Sequence, residues 1–482
     1  MNMQKLHFLS SVLLFAVGCQ KVPHIEYTIE QFMETTSIRG SSFSHDEKEI
    51  LFSSDATGIY NAYTVAVDGG TPKALTQNTT NSILIISFFP NDKRILYSGD
   101  QGGNELYHIY RRDLDGSITD LTPGEKERAL FGGWAHDEKS FFYTSNKRDP
   151  RYMDVYEMDI ATFTSKLIYL NNDAFSFGGI SNNKRYMTLS KNHTRDNSDI
   201  YLYDFKNGKK KLITEHEGDI SHSPTEFSTD SKHIYYLTDD ESEFNYLKKY
   251  NIDTNQHEFV HKEDWDILYM NLSHSGKFTV MGINQDAQTV IRVTETATGK
   301  KVKLPQLSAG SITSVSISKS EKLLSFYHGS GKSTSDLYTY SIEDRKNTQL
   351  TESMNPEVNP AHLADVEVVR YKSFDGMEIP AVYYQPPQAA RDKKVPGLIW
   401  VHGGPGGQSR VGYRALIQYL ANHGYAVLAV NNRGSSGYGK TFYKMDDLNH
   451  GDKDLKDCIW GKKWLQAQDY IDKEKIGIIG GS

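Results

Sequence analysis

Three short segments of this sequence carry residue types at spacings that could do chemistry. The first is Gly480-Gly481-Ser482, directly after the apolar run 476–479. A serine on a tight strand-to-helix turn presents its Oγ to a carbonyl, and only small residues fit around it. Gly-x-Ser is the first half of such a nucleophile elbow, G-x-S-x-G; it also reads as an ordinary glycine turn. The second is His402-Gly403-Gly404-Pro405-Gly406-Gly407, after the apolar run 396–401. Glycines there let backbone N–H groups approach a reacting carbonyl oxygen, as an oxyanion site requires; a simple tight turn has the same composition. The third, Gly434-Ser435-Ser436-Gly437-Tyr438-Gly439-Lys440-Thr441, satisfies the phosphate-loop pattern G-x-x-x-x-G-K-[ST] at every fixed position. Nucleotide binding is nevertheless set aside. No apolar strand ending in Asp follows to hold Mg²⁺, the chain begins like an exported protein, and the other two segments stay unexplained.

The elements that must position these segments lie in residues 366–482. Strands are expected at 366–371, 379–384, 396–401, 425–430 and 476–479, the first two joined through Asp375-Gly376. Tyr413, Leu416, Ile417, Leu420 and Ala421 follow a helical stripe, and a second helix is expected over 453–468. Strands alternating with helices predict a parallel, doubly wound sheet. Cys458 falls on the apolar face of the second helix and reads as an inert core thiol. Residues 352–365, with Pro356 and Pro360, form a linker ahead of this unit.

Residues 38–351 repeat. A turn ending in lysine recurs seven times, at Lys48, Lys93, Lys139, Lys184, Lys232, Lys277 and Lys322. After each comes a short apolar run, a polar loop, an aromatic strand and a second turn, and the period often closes on Leu-Thr or Ile-Thr. Several short strands in each period of about 45 residues mark a β-propeller blade, so a seven-bladed propeller is expected. His216, Asp219 and His222 could be taken for metal ligands, but their spacing is unspecific, and no metal site is assigned.

The 482 residues exceed one ordinary domain. With 30 Tyr, 21 Phe and 5 Trp they can bury a large core, which argues against disorder. The net charge of −7 gives no basic excess for nucleic acid. Two cysteines, Cys19 and Cys458, exclude a disulfide scaffold. Residues 1–19 read as an export signal: a positive start, an apolar run over 6–17, then Ala16-Val17-Gly18-Cys19. Two processing readings stay open, a small-x-small cleavage site and a lipobox with Cys19 lipidated. Residues 20–37 form an N-terminal extension. The expected location is periplasmic, or membrane-anchored through Cys19.

A seven-bladed propeller followed by His-Gly-Gly-Pro, Asn-x-Arg-Gly-Ser-x-Gly-Tyr-Gly and Gly-Gly-Ser resembles the prolyl oligopeptidase family of serine peptidases, in its acylaminoacyl-peptidase-like and dipeptidyl-peptidase-like bacterial branches. The resemblance implies an all-β propeller joined to an α/β-hydrolase domain that is incomplete here, acyl transfer from peptide substrates to water, and no cofactor. It places Ser482 as nucleophile and His402, Gly403 and Gly404 on the oxyanion side. Some relatives have a Tyr hydroxyl where His402 falls, so donation from its ring or from the backbone is left open. Asn432, Arg433 and Tyr438 match the loop that frames the site, with loop rigidity as the alternative reading. In that fold the acid and the histidine follow the nucleophile, and Ser482 is the last residue. The chain is therefore expected to be a piece of a longer reading frame, inert by itself. Neither His402 nor His450, which precede the serine, is taken as the base. An exported propeller with an inactive hydrolase domain, or an esterase, are the alternatives. Post-proline, dipeptidyl and acylaminoacyl specificity are not separable from these residues.

Overall fold

The computed structural model describes residues 24–307, 310–404 and 406–482. The export signal, Cys19 and Pro405 lie outside the described residues.

Residues 38–349 form seven antiparallel sheets, each built from one contiguous stretch: 38–74, 84–120, 129–169, 176–212, 222–261, 267–295 and 311–349. These are the seven expected blades. The lysine turns form because their first residue satisfies several backbone groups at once. Around Ser44, its N–H bonds Glu49 O, the Glu47 N–H bonds Ser44 O, and Ser44 Oγ accepts from Lys48 and Glu49 N–H. The Ser228 turn repeats this set. The residue before the lysine sits at left-handed φ in several blades, +55° at Glu47 and +60° at Glu321; Gly276 takes +78° there without steric cost. The Leu-Thr ending has a reason too. Thr76, Thr122, Thr214 and Thr351 each accept, through Oγ1, a backbone N–H of the neighbouring third strand. The hydroxyl prolongs the ladder where the short outer strand ends.

Register shifts between first and second strand occur in all seven sheets. Such bulges strengthen the local twist. The sixth blade has three strands, with an isolated bridge Thr294–Lys301 in the place of a fourth. Apolar clusters bind neighbouring blades: Phe89 and Leu96 of the second pack with Phe141 and Tyr143 of the third. Full burial of one such side chain contributes about 1.5–3 kcal/mol. Among the described residues, no strand is exchanged between the first and seventh blades. Their seam is made of side chains: Ile50, Phe52 and Val65 against Tyr327, Leu337 and Leu350, with Ser41–Ser325 and Ser320–Glu47 hydrogen bonds.

Residues 365–480 hold a five-stranded sheet. Its order is Asp365–Lys372, Glu378–Gln385, Ala426–Val430, Val395–Val401, Ile471–Gly480. The last three strands in that order are parallel, whereas the first two run antiparallel. The sheet is thus mixed rather than wholly parallel, because the Ser373–Met377 turn makes the first two strands a hairpin. Alternate residues serve opposite faces. Val382, Tyr384, Val427 and Ala429 pack with Ile417 and Ala421 of helix α2 (Ala415–Asn422). Tyr371, Ala381, Tyr383 and Leu428 pack with Cys458 and Leu465 of helix α4 (Lys453–Ala467). Burial pushes the Cys458 thiol up to about 12, which suits an inert thiol.

The linker is not loose. Val358 and Leu363 join Tyr27, Phe32 and Tyr419 in one cluster, and helix α1 (Ile29–Met33), closed by a Thr28/Gln31 capping box, lies in this corner. The Tyr27 N–H bonds Asn422 Oδ1, and the Thr36 N–H bonds Ser353 O.

Candidate active site

The strands Val395–Val401 and Ile471–Gly480 run parallel and end side by side, Val401 opposite Gly480. This brings the two glycine segments together. A Cβ on Gly403 would lie 2.6 Å from Gly481 O and 3.0 Å from Ser482 Cα; one on Gly480 would lie 2.9 Å from Val401 O. Only glycine fits at this contact. The loop then turns back, with the Gly407 N–H on Gly404 O at 2.7 Å. A cavity of about 380 Å³ adjoins it, lined by His402, Gly403, Gln408, Arg410, Arg414 and Gly481. A cavity of about 420 Å³ at the lysine-turn end of the propeller is lined by His136, His274 and Lys319 and lies away from Ser482.

Where the ring of His402 points can be read from its partners. Ser435 Oγ donates to Asn432 O at 2.6 Å, so it can only accept from His402 Nε2, 2.8 Å away. His402 therefore carries its proton on Nε2 and spends it on Ser435. Burial holds the ring below its ordinary pKa, so it is neutral at pH 7. Its side chain is committed to the loop 432–439, so what Gly403 can offer toward Ser482, against which it packs, is its backbone. Among the described residues, no side chain hydrogen-bonds Ser482 Oγ.

The framing loop is held from three sides. Arg433 turns into the fold, where its Nε, NH2 and backbone N–H all reach Asp457 at 2.8–3.0 Å. Asp457 is fully buried on α4 and also accepts from Ser373 Oγ at 2.6 Å. Tyr438 is half-buried toward the propeller, edge-on to Trp265, and desolvation pushes its hydroxyl up to about 12. Asn431, which begins the Asn-x-Arg motif, does more here than Asn432. Its side chain bonds Ser409 N–H and O and the Tyr438 hydroxyl, whereas the Asn432 carboxamide bonds only Arg433 O. Asn431, Ser435 and Asp457 were missed by the sequence reading. The Asn-x-Arg-Gly-Ser motif contains the first two; nothing local singles out Asp457.

The phosphate-loop pattern is absorbed by the propeller contact. Lys440 Nζ pairs with Asp239 at 3.3 Å, its N–H bonds Glu243 O, and Thr441 donates to Glu243. Lys444 pairs with Asp196 and Asp219. The helix opened by this segment, α3 (Lys440–Tyr443), has only four residues. Asp219 thus serves Lys444 and not the neighbouring histidines. His222 is buried beside His216 with both ring nitrogens unbonded, and burial lowers its pKa to about 4.

Comparison with known proteins agrees with this layout. Residues 71–353 match the model of the prolyl oligopeptidase N-terminal beta-propeller domain, and residues 411–482 match that of the prolyl oligopeptidase family. Dipeptidyl aminopeptidase BIII of Pseudoxanthomonas mexicana is 25% identical, the match covering 99% of this chain and 73% of that protein. Prolyl endopeptidase of Elizabethkingia miricola is 22% identical over 90% of this chain and 62% of its own length. Among solved structures, a puromycin-hydrolyzing peptidase of Mycobacterium tuberculosis superposes with a TM-score of 0.79 at 14% identity, covering 96% of this chain and 76% of the other.

Proposed function

Since the chain belongs to the prolyl oligopeptidase family, we propose that it is a serine peptidase that hydrolyses oligopeptides through an acyl-enzyme on Ser482. One observation carries this reading: the end of the Ile471–Gly480 strand sets Ser482 against the glycine segment at Gly403. Ser482 Oγ attacks the peptide carbonyl, and the oxygen that becomes negative is met by the N–H groups of Gly403 and Gly404. A serine hydroxyl is a weak nucleophile at neutral pH and needs an adjacent base. No described histidine reaches it, because the ring of His402 is held by Ser435. The 482 residues alone are expected to leave Ser482 unactivated, and hydrolysis is proposed for the protein in which a base stands beside it.

The propeller contacts the same end of the hydrolase unit through Asp196, Asp239, Glu243 and Asn284, which favours thin or flexible substrates over folded proteins. The sequence further supports export, with Cys19 lipidated and the protein membrane-anchored. The test uses protein purified from its natural host and a panel of blocked and free peptides. Peptide cleavage that Ser482→Ala abolishes is expected. Cleavage of aryl esters without any peptide would favour an esterase, and unchanged turnover in Ser482→Ala would end the proposal. For the 482 residues alone, stoichiometric labelling of Ser482 by an organophosphonate would show that a base exists within them.

A further inference from the structure

The N-terminal segment ends its described course at one particular end of the hydrolase sheet. His24 Nε2 bonds Asn422 O at 2.9 Å, Asn422 Nδ2 donates to Ile25 O, and Tyr27 N–H bonds Asn422 Oδ1. The side chain of Gln388, in the loop after Glu378–Gln385, reaches the same Asn422 O. Tyr27 OH bonds the buried His362 at 2.6 Å. Residues 24–27 are thus fixed to α2 and to the 386–394 loop.

The topology identifies that end. Val395 pairs with Ile471 at the start of the parallel strands, and Gly397 with Ala426. Tyr384, just before the 386–394 loop, pairs with Val427. Tyr425, the 386–394 loop and the start of Ile471–Gly480 therefore share the amino end of the parallel strands. Ser482 and His402 stand at the carboxyl end. The seven-residue strand Val395–Val401 separates the two ends by about 20 Å. The propeller hairpins that touch Lys440, Lys444 and Gln408 lie at the carboxyl end, while one hairpin of the seventh blade runs along the edge strand, where Lys332 pairs with Asp365. The lysine turns, at the opposite ends of the same second strands, are farther away still.

Only five residues lead from Cys19 to His24, a reach of about 18 Å at full extension. We propose that the amino end of this sheet lies against a lipid bilayer, held there by the acyl chain on Cys19, so that Ser482 and the lysine turns of the propeller face away from the membrane. This rests on the reading of Cys19 as lipidated. The surface at that end suits a lipid interface. Ile25 is 50% exposed and Tyr425 36% exposed, and an aromatic ring with a polar tip is favoured at the headgroup level. Arg391, Lys393 and Lys394 are exposed there but offset by Asp392, Asp469 and Glu26. Attraction therefore comes from the anchor and the apolar residues, and it should not depend on anionic lipid.

The test is hydroxyl-radical footprinting of the full chain, processed in an exporting bacterial host and reconstituted on phosphatidylcholine vesicles. The Cys19→Ala chain in solution is the comparison. Oxidation of Ile25 and Tyr425 is expected to fall several-fold on vesicles. Phe259, 65% exposed in the fifth blade, is expected to react equally in both states. Mass spectrometry of the N-terminal peptide separates the two ways to fail. An unmodified Cys19 would sink the lipidation reading and this proposal with it. A lipidated chain whose Ile25 and Tyr425 stay as reactive as in solution, or whose Phe259 is protected as strongly, would sink the orientation alone.

Discussion

Replacing Arg433 with methionine should cost the hydrolase unit about 3–5 kcal/mol, because it strands a buried charge. Asp457 is fully buried and accepts four hydrogen bonds: three from Arg433, counting its backbone N–H, and one from Ser373. Methionine fills much of the guanidinium's space and leaves the Arg433 N–H and Ser373 contacts. It removes the counter-charge and two of the four bonds. The second partner of Arg433, Asp375, is 36% exposed and screened by solvent, so its share is small. The assay is urea unfolding followed at Trp400, Trp460 and Trp464, with Trp134 and Trp265 of the propeller changed to phenylalanine. At a slope of about 2 kcal/mol per molar urea, the midpoint should fall by about 1.5–2.5 M. Changing Asp457 to leucine as well should recover most of the loss, since no unpaired charge then stays inside. A fall below about 0.5 M, or a double variant no more stable than the single one, would refute the argument.

In protein from the natural host, in which a base is proposed to stand beside Ser482, Gly403→Ala should abolish reaction at Ser482 while leaving the propeller intact, since its Cβ would lie 2.6 Å from Gly481 O and 3.0 Å from Ser482 Cα. Acyl-probe labelling alongside propeller near-UV dichroism checks it. Glu226, buried between the fifth and sixth blades and accepting from Leu272 N–H at 3.0 Å, has its carboxyl raised to about 7 by desolvation. A carboxyl raised on folding stabilises the protein below its unfolded pKa near 4.5, and that contribution is lost as pH rises toward 7. Glu226→Gln should therefore raise the urea midpoint at pH 8 and change it little at pH 4.5. His222 is the reverse case. Its pKa is lowered to about 4, so its contribution is full above about 6.5 and lost as pH falls toward 4. Its imidazole resonances should titrate below pH 5 in NMR.

Much of this architecture is legible in the sequence because the relevant hydrogen bonds are local. A turn ending in lysine satisfies its own backbone, through a Ser-x-x-x-Lys pattern in four of the seven cases, so seven such turns imply seven blades whatever packs between them. The closing Leu-Thr pair is short-range in the same sense. The hydrolase strands and helices show through their apolar patterns to within a few residues. What stays hidden depends on distant partners. Asp457 and Arg433 are 24 residues apart and meet only when α4 folds over the sheet. Lys440 and Thr441 carry a phosphate-loop pattern, yet their partners are Asp239 and Glu243, about 200 residues earlier. The antiparallel hairpin was missed because strand-helix alternation says nothing about the direction of the strands that come before it. The ring of His402 is oriented by Ser435, which the Asn-x-Arg-Gly-Ser motif contains but does not tie to a histidine 33 residues earlier.

The seam without an exchanged strand bears on the order in which the molecule is assembled during synthesis. Every blade is contiguous, so each can complete its sheet as it leaves the ribosome, without waiting for a strand from the other end of the chain. The first blade nevertheless keeps one flank incomplete until the seventh exists, because Ile50, Phe52 and Val65 pack against Tyr327, Leu337 and Leu350. Residues 24–36 wait longer still. Thr36 finds Ser353 only after the last blade, and Tyr27 finds Asn422 only when α2 has been made. A segment translated before the whole propeller is thus among the last to find its place.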